Sequence, residues 1–317
     1  MTTVPRWVLT LFRSARLFTL LAVIGGTLVA ATHSGFECGN WPGCDADALL
    51  PGGPVNELLY RNPWIEMTHR ASAVLSGPLA LVSAVVALWL RGVHPLVKVL
   101  PWVTVAGAIV AGFVGRGIVL GAVYPTWVGA ADLGSALAAL VAMTTATVLL
   151  ERTPAQWFGT RAGAYAWGAV GALWTMHVTG IYAAGPSSYT RVTSWPVWRL
   201  LEADIHGSLV AQWLRFPLVA LAAVLIVLAA REARALGLWR EGITAVVLTI
   251  ANLAFGAGIA LSGTDALGVP FAMCSVAVFF TMILLAARSS ALPARARTSR
   301  RMTDTVSATE GAAAARP

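Results

Sequence analysis

Eight long apolar runs constrain this 317-residue chain more than any other feature. A helix needs roughly 20 mainly apolar residues to cross a bilayer core of about 30 Å. The runs that approach or exceed this length cover residues 17–32, 71–90, 96–117, 126–150, 163–183, 206–230, 242–262 and 266–287. They lack the short alternating pattern of membrane β-strands. The sequence therefore predicts an all-α polytopic membrane protein of eight transmembrane helices.

Composition supports a membrane environment and argues against other classes. Hydrophobic residues make up 57% of the chain and charged residues only 11%, whereas soluble domains carry about 25% charged residues. The net charge is +8, but the basic residues are spread between apolar runs and form no nucleic-acid-binding face. Three cysteines are too few for a disulfide scaffold. The expected partner is the lipid bilayer, with no nucleic acid.

The placement of charge predicts the orientation, because short cytoplasmic loops are enriched in Lys and Arg. Five basic segments alternate with the runs, around Arg6 to Arg16, Arg91 to Lys98, Arg152 to Arg161, Arg231 to Arg240 and Arg288 to Arg301. Both termini are therefore expected in the cytoplasm, in a multi-pass protein of the cell membrane. The first run also resembles a signal peptide, but seven further runs favour a membrane helix.

A repeated pattern divides the chain near residue 155 into two halves. Glu66 and His69 open the second run of the first half, and Glu202 and His206 open that of the second half. Either spacing places the acid and the histidine on one helix face. This repetition predicts two pseudo-symmetric four-helix bundles, each with one pocket. The expected divisions are residues 1–154, residues 155–288 and a disordered cytoplasmic tail, 289–317.

Ionisable groups at membrane depth are costly, so they are candidates for function. His69 and His206 are the leading pair, because neutral imidazole commonly binds haem iron and helix bundles hold such groups. The alternative is two interfacial histidines bonded to loop carbonyls. Glu66 either transfers protons or caps the first turn of its helix. Arg70 pairs with Glu66, binds a ligand carboxylate or anchors the interface.

Other polar residues support two structural predictions. Cys38 and Cys44 lie in an outer loop, where disulfides persist, and the turn residues between them favour a bridge. Asp132 and Arg116 belong to neighbouring antiparallel runs at similar depth, so we predict an intramembrane ion pair. Arg215 is the alternative partner of Asp132. These three charges also leave transport open as a further hypothesis. His33 and His177, which end outward-going runs, are expected at the interface.

Three stretches together resemble the haem A synthase family of cytochrome oxidase assembly proteins. The first is THSG at residues 32–35, leading into Cys38 and Cys44 with NWP between them. The others are PWIEMTHR at residues 63–70 and GFVGRGIVLGAVYPTWVGAADLGSAL at residues 112–137. The resemblance extends to about residue 287. Members of this family oxidise the methyl group of haem O to the formyl group of haem A, passing electrons through a bound haem b.

The resemblance implies a role for each matching residue. It makes His69 an axial histidine of a first-half haem site and Glu66 the carboxylate needed for the oxidation. His206 becomes an axial histidine of a second-half haem b site, and Cys38 with Cys44 the outer-loop disulfide. Arg70 would help to bind the cofactor. Haem O is then the substrate, and the implied partners are haem O synthase, oxidase assembly factors and a second copy of the chain.

The chain departs from the family at one ligand in each pocket. Asp132 stands where the family has a histidine in the fourth span, and the eighth span has no histidine. Met273 and Cys274 in the eighth span either serve as substitute ligands or pack in the core. A five-coordinate haem or an empty pocket filled by the Asp132–Arg116 pair are the other readings. The alternative function is therefore a non-catalytic haem-binding or oxidase-assembly homologue.

Overall fold

The structure is a computed structural model that describes residues 4–52, 58–152, 155–157, 159–184, 209–262 and 265–293. Eight α-helices dominate it: α1 Arg6–Ala31, α2 Pro63–Trp89, α3 Pro95–Val119, α4 Thr126–Glu151, α5 Arg161–Ala184, α6 Leu209–Ala233, α7 Trp239–Ser262 and α8 Gly268–Ser290. Two short 3-10 helices cover Arg234–Leu236 and Asp265–Leu267. The described strands are β1 (Ala155–Trp157) and β2 (Ala291–Pro293), which pair antiparallel. The predicted all-α architecture is confirmed.

Seven of the eight helices are long and apolar enough to cross a membrane. Helix α5 is the exception among the described helices. Its 24 residues reach about 36 Å at 1.5 Å per residue, which is sufficient for a bilayer core. Polar side chains such as Thr175, His177 and Thr179 lower its mean hydropathy. The helices are those of a multi-pass membrane protein. Seven of the eight predicted spans are both long enough and apolar enough to cross a membrane.

Helix α1 begins well before the apolar run that predicted it. Arg13 and Arg16 lie on the helix, and Arg13 Nε donates to Glu151 of α4 at 2.8 Å. Val8 and Phe12 are fully buried in a core that α1 shares with α4 and α8. Because a membrane helix continues through the polar headgroup region, apolarity alone underestimates its length. Packing of α1 in the core favours a membrane helix over a signal peptide.

The same order of helix contacts occurs in α1 to α4, here called the first set, and in α5 to α8, here called the second set. Helix α1 contacts α2, α2 contacts α3, α3 contacts α4, and α4 contacts α1. Helices α5 to α8 repeat this order. The sets meet where α4 contacts α5 and α8, and where α1 contacts α8. The largest core cluster lies around Leu140, Ile226 and Phe279 and joins α4 to the second set.

The two ends of the helix bundle carry different polar contacts. At the end that carries the start of α1 and the end of α8, here called the terminal end, Arg152 donates to the carbonyls of Arg288 and Ala291. Arg288 in turn pairs with Glu241. The opposite end, here called the loop end, carries the loop between α1 and α2. Order extends beyond the predicted tail boundary at residue 289, because α8 and β2 continue to Pro293; residues 294–317 lie outside the described residues.

Candidate functional site

A disulfide-bonded loop lies at the loop end, where α1 leads into α2. Cys38 and Cys44 form a disulfide with a Cα–Cα distance of 4.2 Å, as predicted. Both cysteines are buried. We call residues 37–44 the disulfide loop. Because the bridge closes only a short segment, the loop needs further contacts to hold its position against the helices.

The start of α2 places two charged side chains against this loop. The Asn62 side chain caps the helix by accepting from Trp64 N at 2.9 Å, and Pro63 occupies the first helical position. Glu66 and Arg70 follow one turn apart on the same face, and both are buried. The helix start therefore determines which side chains face the disulfide loop.

Glu66 uses both carboxylate oxygens in this position. Its Oε2 accepts the backbone N–H groups of Glu37 and Cys38, each at 3.0 Å. Its Oε1 lies 2.5 Å from Arg70 Nη2, with both side chains more than nine-tenths buried. The sequence left three roles open for Arg70, and the structure shows one of them, the ion pair with Glu66. Glu66 contacts the disulfide loop rather than only the first turn of its own helix.

Arg70, which carries the opposite charge to Glu66, also binds the disulfide loop. Its Nη1 donates to the carbonyls of Asn40 and Gly43, and its Nη2 donates to the carbonyl of Cys38. The carboxylate thus binds N–H groups of the disulfide loop, while the guanidinium binds its carbonyl groups. Hydrogen bonds to charged groups are stronger than those between neutral groups. A buried ion pair is stable only when its remaining donors and acceptors are also hydrogen-bonded. The two residues fasten the disulfide loop to α2.

His69 lies between these residues in sequence but contacts a different element. Its Nδ1 is 2.9 Å from the carbonyl oxygen of Ala22 on α1. A carbonyl only accepts, so in the neutral ring Nδ1 carries the proton and Nε2 has a lone pair. Histidines that bind a metal usually donate their other nitrogen to such an acceptor. In the half-buried imidazole, Nε2 is therefore the unprotonated nitrogen, which is the one able to bind a metal.

Two glycines on α1 make room for this imidazole. A Cβ added at Gly25 would lie 2.9 Å from both Cα and Cβ of His69, and one at Gly26 would lie 3.2 Å from Cε1. The first contact involves the backbone of α2, which cannot move alone. The close approach of α1 and α2 therefore depends on Gly25.

Replacing Gly25 with alanine is expected to force α1 and α2 apart and to break the bond from His69 to Ala22. Overpacking of this kind costs about 1–3 kcal/mol. Gly115→Ala is the matched control, because a Cβ there meets nothing within 4 Å. Thermal unfolding of the two purified variants measures the difference. Equal stability of Gly25→Ala and Gly115→Ala would contradict the close approach.

The predicted partners Asp132 and Arg116 lie near the loop end. Arg116 is exposed, and its guanidinium carbon lies 5.5 Å from the ring centroid of Trp41, in a cation–π contact. Asp132 is half-buried on α4. Their ion pair stays a prediction. Sequence reasoning missed the contact with Trp41, because it depends on how the disulfide loop lies over α3.

In the second set of helices, the buried basic residues that the structure describes are His177 and Arg215. Glu202 and His206 lie outside the described residues. His177, expected at the interface, is instead only 9% exposed, with its ring edge-on to Phe279 at 6.1 Å. Arg215 on α6 is 8% exposed. His177 is thus buried between helices of the bundle, and its position at a membrane interface stays a prediction.

Cys274 and Met273, the possible substitute ligands, are half-buried on α8. Within the described ranges, no group of three or more His, Cys, Asp or Glu side chains could hold a metal ion. Searches against protein-family models and against curated proteins found no match for this chain. The candidate site is therefore defined by its own geometry, which consists of the fastened disulfide loop and the oriented His69.

Proposed function

We propose that this chain is a haem A synthase-like membrane oxidoreductase that converts the methyl group of haem O to the formyl group of haem A. The observation that carries the proposal is the bond from His69 Nδ1 to the Ala22 carbonyl, because it leaves Nε2 available. His69 belongs to the stretch 63–70 that resembles the family. We also propose the family arrangement of eight spans in two pseudo-symmetric bundles, in the cell membrane with both termini in the cytoplasm.

The residues of the first half suit a haem. His69 would bind the iron through Nε2, and His206 would bind a haem b in the second half. A bound haem supplies the redox chemistry of the reaction. The glycines on α1 allow His69 to lie close to that helix, which fixes its direction. The orientation of this ligand is therefore set before any cofactor binds.

Glu66 and Arg70 form the polar part of this site. The disulfide loop is fastened to them and lies against the start of α2. Oε2 of Glu66 accepts two hydrogen bonds and Oε1 accepts one, so three of the roughly four acceptor positions of the carboxylate are used. Protonation of Glu66 would remove the negative charge that pairs with Arg70 and would weaken the attachment of the disulfide loop. Proton transfer through Glu66 would therefore be coupled to the attachment of this loop.

The use of Glu66 in holding the disulfide loop favours a second candidate, a non-catalytic homologue that binds haem or assists oxidase assembly. In this role Glu66 and Arg70 only hold the disulfide loop in place. Asp132, at the position of a family histidine, agrees with this reading. Haem O synthase, oxidase assembly factors and a second copy of the chain are the proposed partners in either case.

The experiment that tests the proposal is production of the full chain in cells that make haem O and have no other source of haem A. We expect haem A in the extracted pigments with the natural sequence and none with Glu66→Gln. Glu37→Gln is the control, because this half-buried carboxylate pairs with exposed Arg61 at the same loop. Haem A with all three chains would exclude Glu66 from the chemistry. Bound haem without haem A from the natural sequence would select the non-catalytic homologue.

A further inference from the structure

Arg215 on α6 is a buried cation with unsatisfied hydrogen-bond donors. The residue is 8% exposed, and its Nε and Nη1 have no hydrogen-bond partner within the part of the chain that the structure describes. Arg70, equally buried, donates four hydrogen bonds. Buried polar groups are nearly always partnered, and an unpaired buried charge is strongly unfavourable. Arg215 therefore calls for a partner that the described residues do not supply.

The position of Arg215 on its helix directs it into the bundle. The buried positions of α6 follow helical spacing and include Ala211, Arg215, Ala222, Ile226 and Ala229. The other four are apolar and belong to the face that packs against neighbouring helices. Arg215 is thus the charged member of a core-facing stripe. It does not face lipid, where its charge could reach the headgroups.

A second basic side chain lies in the same interior. His177 is buried on α5, and α5 packs against α6. Phe279 of α8 contacts the His177 ring edge-on. The buried guanidinium of Arg70 is held in an ion pair with Glu66, whereas Nε and Nη1 of Arg215 have no hydrogen-bond partner among the described residues.

We propose that Arg215 binds the carboxylate or phosphate of an amphipathic ligand inside the second set of helices. An oxyanion satisfies the free guanidinium donors, and the surrounding apolar core suits the hydrophobic part of such a ligand. Intramembrane charges of this kind mark ligand or ion sites. A fatty acid, a porphyrin carboxylate and an acidic phospholipid share this chemistry. The proposal does not depend on the oxidation of haem O.

Stability of the ligand-free chain gives the first test. We expect Arg215→Met to raise the temperature of thermal unfolding in detergent-washed protein, because it removes unsatisfied donors from an apolar stripe. Arg231→Met is the control, since Arg231 lies on the same helix and is exposed; we expect no change. A fall in the unfolding temperature of Arg215→Met would show that Arg215 has a partner within the chain, which would overturn the proposal.

Binding to the purified full chain gives the second test. The probes are cis-parinaric acid, protoporphyrin IX and phosphatidic acid, each compared with an uncharged analogue: the methyl ester, the dimethyl ester and diacylglycerol. We expect one acid to bind at least about tenfold more tightly than its analogue, and Arg215→Gln to abolish this preference. Which acid shows it identifies the source of the oxyanion. Absence of any preference, its survival in Arg215→Gln, or its equal loss in Arg231→Gln would overturn the proposal.

Discussion

Replacing Arg70 with methionine is expected to lower the free energy of unfolding by about 3–5 kcal/mol. The change leaves the Glu66 carboxylate buried without its cation, and it removes donors from the carbonyls of Cys38, Asn40 and Gly43. Removing one member of a buried pair costs more than the pair itself contributes, because the remaining charge keeps its desolvation penalty. Chemical unfolding of the purified protein in detergent measures the loss.

Arg61→Met is the matched control for this change. Arg61 pairs with Glu37 at the same disulfide loop, but its side chain is 65% exposed. We expect a loss below about 1 kcal/mol, as is usual for exposed ion pairs. Adding Glu66→Gln to Arg70→Met should recover part of the larger loss, because it removes the stranded charge. A loss for Arg70→Met no greater than that for Arg61→Met would contradict the role of the buried pair.

Under the proposed function, replacing His69 with asparagine is expected to prevent the first set of helices from binding haem. The shorter side chain cannot supply the Nε2 ligand, and the bond to the Ala22 carbonyl is lost with the ring. We expect haem O or haem A to disappear from the extracted pigments while haem b remains. Absorption spectroscopy of purified variants, with mass analysis of the extract, measures the change.

His33→Asn is the control for the loss of a histidine at the loop end. His33 has a φ of 55° and its ring lies edge-on to Tyr60 at 5.6 Å. Asparagine tolerates this left-handed conformation better than most residues, so the backbone is preserved. We expect the pigment composition of His33→Asn to match the natural sequence. Equal loss of haem from both variants would indicate a general disturbance of the loop end rather than loss of a ligand.

Much of the fold could be predicted from the sequence, because bilayer thickness determines how long an apolar helix must be. Seven of the eight predicted runs became long apolar helices. The predicted ends of the helices were less accurate where charged residues extend a helix beyond the apolar core, as Arg13 and Arg16 do in α1. Helix α5 formed despite its polar side chains, which an apolarity criterion alone undervalues.

The candidate site was predictable only in part. The disulfide followed from cysteine placement, and the spacing of Glu66 and Arg70 allowed their pairing. The bonds of Glu66 to backbone N–H groups were not predictable, because they depend on the conformation of the disulfide loop. The burial of His177 depends on the length and rotation of α5 against α8. Such tertiary contacts leave no local pattern in the sequence.

The absorption spectrum of the purified natural protein, oxidised and reduced, tests the proposed haem function most directly. The protein should be prepared from cells supplied with haem, and the extracted pigment identified by mass. We expect haem O or haem A together with haem b. A colourless protein, obtained folded from such cells, would contradict it.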